Sequence, residues 1–85
     1  MSTFSQTMID RVWNKGLAIP GYDPKLYRKD VNGNILYYHS YGLYTNMGWN
    51  IDHIIPVNLG GSDDLSNLQP LKSVDNSSKG DRYIG

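Results

Sequence analysis

The chain has 85 residues, eight basic against eight acidic side chains, and no cysteine. That length suits one domain with a small core, near the size at which chains often need a further constraint, and without cysteine the constraint is neither a disulfide nor a thiolate-bound zinc. No stretch is apolar for long enough to span a bilayer, and the N-terminus lacks the basic-then-apolar pattern of a signal peptide. A soluble, intracellular protein with no membrane partner is the expectation. Seven Tyr and two Trp are expected to supply the buried area that disulfides or zinc would otherwise replace.

The charges are unevenly spread. Before Trp49 the chain carries Arg11, Lys15, Lys25, Arg28 and Lys29 against Asp10, Asp23 and Asp30. From Trp49 onward Lys72, Lys79 and Arg82 face Asp52, Asp63, Asp64, Asp75 and Asp81. The leading half is mildly basic and the trailing half acidic. Because phosphate contacts supply most non-specific affinity for nucleic acid, intrinsic affinity of this kind is expected to be weak.

In chain order, residues 1–6 are expected to fray. Thr7 and Asp10 fit a capping box, and Met8, Ile9, Val12 and Trp13 form an apolar stripe at helical spacing, closed by Lys15 and Gly16. Core packing accounts for that stripe. Pro20-Gly21 and Asp23-Pro24 mark 17–26 as turns and connector. Tyr27–Val31 and Asn34–Tyr38 flank Asn32-Gly33, a strong hairpin signal. Arg28 and Lys29 on its first arm serve either as a solvated edge or as phosphate contacts. His39 has no acid or amide nearby in sequence and reads as a surface histidine, and 40–48 reads as loop.

Trp49–Ile54 alternates as a strand does, with Trp49 and Ile51 on one face, and Pro56 ends pairing soon after. Ser62, Asp63 and Asp64 are turn formers within a 58–66 loop. Leu68–Leu71 returns as a second strand. Ser73 can then cap a short helix with Asn76 at its third position and Gly80 at its end. Strand, loop, strand, helix is the order of elements.

Within 48–80 stand Asp52-His53, the Gly60-Gly61 pair, Asn67-Leu68-Gln69, Asn76 and Lys79. A carboxylate, an imidazole and a carboxamide can together hold a hard metal ion beside a general base. Taken singly, Asp52 reads as a loop cap, His53 as a half-buried polar residue, Asn67 as a turn residue and Asn76 as a helix-start residue. Their joint spacing is far more specific than any one of them.

That constellation closely resembles the HNH endonuclease family, and the resemblance reaches back through Gly48-Trp49, Tyr41-Gly42 and Gly33 to Arg28-Lys29-Asp30. It implies an α+β fold with a ββα-metal core, to which the N-terminal helix (1–26 with its connector) and a hairpin and loop (27–47) are added in a single domain. Many small members carry a cysteine-ligated zinc, and here Lys72 and Asp75 flank the helix start instead. The implied activity is metal-dependent hydrolysis of DNA, double-stranded, leaving 5′-phosphate and 3′-hydroxyl ends. His53 is the candidate base, since imidazole titrates near neutral pH. Asp52 and Asn76 offer only oxygen ligands, which suits one Mg²⁺ or Mn²⁺ better than Zn²⁺. The resemblance gives Asn67 the supporting task of bracing the inter-strand loop. Lys79, and more weakly Lys72 and Arg82, are candidates for the substrate backbone. The competing expectation is a non-catalytic nucleic-acid-binding module within a larger phage or mobile-element assembly, where a partner protein or a homodimer supplies affinity.

Overall fold

The structure, a computed structural model, describes residues 3–75. Helix α1 (Gln6–Trp13) starts at Ser5, whose backbone is extended and whose hydroxyl accepts the Met8 amide hydrogen at 3.1 Å. That bond satisfies one of the donors a helix start leaves orphaned. The expected Thr7–Asp10 box therefore does not form the cap. Asp10 instead accepts from Gln6 Nε2 at 2.9 Å and from the Tyr38 hydroxyl at 2.5 Å, which ties the helix to a later segment. Fraying does not extend through residue 6 either. Phe4 packs against the core, where its ring leaves water. Val12 and Trp13 are the buried side of α1, in keeping with the predicted stripe.

Strand β1 (Leu17–Ala18) pairs antiparallel with β2 (Tyr27–Lys29), which pairs with β3 (Ile35–Tyr37). The turn-rich sequence gives no sign of β1, because two residues carry no readable period. The β2–β3 hairpin forms as predicted but turns differently. Gly33 has φ +84°, while no described non-glycine residue has positive φ, so Asn32-Gly33 is not a two-residue type I′ turn. Asp30 and Asn34 close the loop instead, through Asp30 N–H to Asn34 O and Gly33 N–H to Asp30 O, both at 3.0 Å.

Asp30 dictates that geometry. Its side chain, 2 % exposed, accepts hydrogen bonds from the amides of Asn32, Asn34 and Lys72 and from the side chain of Asn34. Lys72 belongs to the second sheet, so one carboxylate closes a turn and joins two sheets.

That second sheet is the hairpin of β4 (Trp49–His53) and β5 (Leu68–Lys72), antiparallel, with Trp49 opposite Lys72 and His53 opposite Leu68. Between the strands run single 3₁₀ turns at Val57–Leu59 and Leu65–Asn67. Trp49 and Ile51 face a core shared with Val12, Trp13, Leu36 and Leu68. The rings of Trp13 and Trp49 lie 5.0 Å apart, with Tyr38 edge-on to Trp13 and Tyr41 edge-on to Trp49. Each buried indole has a partner, Trp13 Nε1 donating to Pro24 O and Trp49 Nε1 to Tyr38 O. Aromatic area thus does the work that cysteine does elsewhere.

Lys15 donates its ammonium to the carbonyls of Leu65 and Leu68, fastening the end of the α1 segment to the start of β5. Helical backbone begins at 73. Ser73, expected to cap from outside, already lies in that first turn, and its hydroxyl accepts Asn50 Nδ2–H at 2.8 Å. The remainder of the predicted helix, with Asn76 and Gly80, lies outside the described residues. Helix together with two antiparallel sheets among the described residues makes the chain α+β, as expected. No helix among the described residues is long and apolar enough to cross a membrane.

Two predictions follow from these contacts. Replacing Asp30 by Ala strands three backbone donors and should lower unfolding free energy by about 3 kcal/mol, read by urea denaturation, with Asp30→Asn losing less. The second concerns Tyr38, whose phenol is held above its ordinary value of 10.0, first by its hydrogen bond to Asp10 and then by burial. A phenol with a raised folded pKa stabilises the fold fully below its unfolded value and loses that contribution as pH rises through the folded one. Thermal midpoints should therefore fall beyond about pH 10, and Tyr38→Phe should shallow that fall.

Candidate active site

Neighbouring residues on a strand point to opposite faces, and β4 shows it. Trp49 and Ile51 enter the core, while Asn50 and Asp52 turn to the other face. Asp52 is nonetheless only 4 % exposed, and its cross-strand neighbour Gln69 donates Nε2–H to Oδ2 at 2.8 Å. Through Asn50 and Ser73, the helical turn at 73 is held to the face that carries Asp52. His53 closes the strand on the opposite side. Its side chain is 17 % exposed, with Nε2 2.6 Å from Asp63 Oδ1 and its ring 6.0 Å from that of Phe4.

Asn67 is buried and uses both ends of its carboxamide. Oδ1 accepts the Ile55 amide hydrogen at 2.8 Å, while Nδ2 donates to Ile55 O at 3.1 Å and Ser62 O at 2.8 Å. Its own carbonyl accepts Ile54 N–H at 2.8 Å. The loop leaving His53 is thereby clamped to the residue just before the return strand. The two glycines serve separate needs. Gly60 has φ +92°, whereas a Cβ on Gly61 would stand 1.7 Å from Ile55 O and 2.9 Å from Asn67 Nδ2. Gly61 lets two stretches of backbone touch where Asn67 binds them both.

Asp52, His53 and Asn67 thus all lie at one end of a single hairpin, with Asp52 and His53 on opposite faces of its first strand. Asn76, Lys79 and Arg82 lie outside the described residues. Arg28 is engaged within the fold: its guanidinium donates to the carbonyls of Pro24, Asn14 and Gly16. It staples helix end to connector. Lys29 ends β2 and Lys72 ends β5, both half-buried. The sequence reading missed Asp63, Gln69 and Lys15 as parts of this site. The partners of Asp63 and Lys15 are distant in sequence, and Gln69 is matched to Asp52 only by the strand register.

The family model described as HNH endonuclease matches residues 39–82, just over half of the chain. This chain belongs to the HNH endonuclease family. No curated protein and no solved structure matches it. The HNH match takes in Tyr41-Gly42 and Gly48-Trp49 and leaves out Arg28 through Gly33. HNH domains have a ββα-metal fold, act on nucleic acids and typically use a divalent cation. Among the described residues no group of three or more His, Cys, Asp or Glu could hold a metal ion, and there is no cysteine for zinc. What the HNH hairpin offers is the carboxylate of Asp52, a hard oxygen donor. That chemistry fits a cation which keeps open positions for water and substrate.

The clamp makes a direct prediction. Asn67→Ala leaves the Ile55 amide and two carbonyls unmet and should cost about 2–4 kcal/mol. Gly61→Ala should cost about as much by forcing the backbones apart. Urea unfolding measures both, and His53 ring resonances should shift in each variant, since the loop it contacts is displaced.

Proposed function

We propose that this HNH protein is a metal-dependent endonuclease that hydrolyses DNA phosphodiester bonds and leaves 5′-phosphate and 3′-hydroxyl ends. In this reading residues 1–85 form a single nuclease domain working inside the cell. The observation that supports it is that Asp52, His53 and Asn67 lie at the same end of one hairpin, inside the family match.

A phosphodiester resists water because water is a poor nucleophile, the phosphate repels it, and an alkoxide must leave. His53 answers the first difficulty by accepting a proton from the attacking water. Asp52 and Asn76 would hold one Mg²⁺ or Mn²⁺ through oxygen. When bound, such a cation supplies charge neutralisation at the phosphate and at the departing oxygen. Because Asp52 and His53 project from opposite faces of β4, base and acid can address one phosphate from different sides, as in-line displacement requires. Asn67 touches neither water nor phosphate and keeps the His53 end of the hairpin in place.

Arg28, Lys29, Lys72, Lys79 and Arg82 are the side chains proposed to meet the substrate backbone. With Lys15 and Arg28 also hydrogen-bonded to backbone carbonyls and a net charge of zero, these cations make a modest electrostatic footprint. This favours a second reading, a nucleic-acid-binding HNH module that depends on a partner protein or its own dimer for affinity.

Supercoiled plasmid separates the two. The wild type should nick it with Mg²⁺ or Mn²⁺ and not with chelator, and His53→Ala should slow nicking by at least about 100-fold. Plasmid left intact by folded wild type with either metal, alongside DNA binding that survives His53→Ala, would establish the binding module instead.

A further inference from the structure

The proposed base is a histidine, and a neutral imidazole carries its proton on one nitrogen and its lone pair on the other. Which nitrogen takes which role is set by the partner of the ring. For His53 one such partner is Asp63. Nε2 lies 2.6 Å from Oδ1 of Asp63, a residue ten positions downstream in the inter-strand loop. An ionised carboxylate can only accept, so Nε2 is the nitrogen that carries hydrogen. The lone pair is then on Nδ1.

We infer that Asp63 is a positioning residue that fixes His53 in the Nε2–H tautomer, so that Nδ1 is the atom that takes the proton from water. This rests on the reading of His53 as base. Phe4 and the loop clamp complete the mounting. The Phe4 ring stands 6.0 Å from the imidazole, and the Asn67 side-chain amide binds the Ser62 carbonyl, in the residue just before Asp63. Asp63 is itself largely exposed, 58 % at the side chain, so its hold on the ring depends on this loop being held. The division of labour is therefore sequential. Gly61 and Asn67 shape the loop, the loop presents Asp63, and Asp63 turns the ring.

The substitutions Asp63→Asn and Asp63→Ala separate this from a merely structural role. The asparagine oxygen can still accept from Nε2–H, whereas alanine cannot. With ¹⁵N-histidine labelling, long-range proton–nitrogen spectra recorded where the ring is neutral report the tautomer directly, and exposed His39 serves as the internal reference. Wild type and Asp63→Asn should show the Nε2–H form at His53, and Asp63→Ala a mixture of both. In metal-dependent plasmid nicking, Asp63→Ala should lower kcat about 10- to 100-fold with little change in KM, and Asp63→Asn should recover much of the loss. An Nδ1–H tautomer in the wild type, or a tautomer and kcat unmoved in Asp63→Ala, would overturn the assignment. A wild type that cuts no plasmid refutes the nuclease reading separately, and the spectra then still decide which atom Asp63 holds.

Discussion

The carboxamide of Asn67 is the constraint on which the site depends. Three hydrogen bonds to the Ile55 amide and the carbonyls of Ile55 and Ser62 join the two ends of the loop that separates the paired strands. A buried amide with every hydrogen-bonding atom engaged tolerates no alternative register, because each donor or acceptor left unmet costs about 1–3 kcal/mol. His53 at the end of β4 and Asp63 within the loop are both consequences of that closure. The glycine at 61 is the same constraint seen from the backbone, since any side chain there would occupy the space of the Ile55 carbonyl.

A second set of contacts mounts this hairpin on the rest of the chain. Asp30 takes the Lys72 amide hydrogen, Lys15 reaches the carbonyls of Leu65 and Leu68, and Trp13 packs on Trp49. A small domain with no disulfide gains rigidity here from polar anchors, the buried Asp30 among them, around an aromatic core. The arrangement has an electrostatic consequence. Lys15 and Arg28 spend their hydrogen bonds on backbone carbonyls, which takes two of the eight basic residues into structural service. Attraction to a phosphate backbone is left to fewer cations, facing an acidic motif half.

The errors of the sequence reading have a common origin. Ser5 caps α1 in place of Thr7, and Asp10, well placed for a capping box, is drawn off by Tyr38 from 28 residues away. Asn32-Gly33 marks a turn correctly, yet the buried Asp30 carboxylate selects a longer loop than the two residues suggest. Arg28 reads from sequence only as a cation on a hairpin arm, and the packing of helix end against connector adds the carbonyls it binds. In each case a local signal was real and a partner remote in sequence decided its use.

By itself the sequence determined the α+β class, the two hairpins, the buried face of α1 and the family, because periodicity, turn chemistry and motif spacing are local properties of the chain. It also marked Asp52, His53 and Asn67 as residues to watch. Tertiary structure alone decided that Asp63 lies against the imidazole, that Gln69 lies against Asp52, and that two cations serve the fold. Those facts depend on strand register and loop closure, which are set by contacts between residues 10 to 53 positions apart, and no local pattern records such distances.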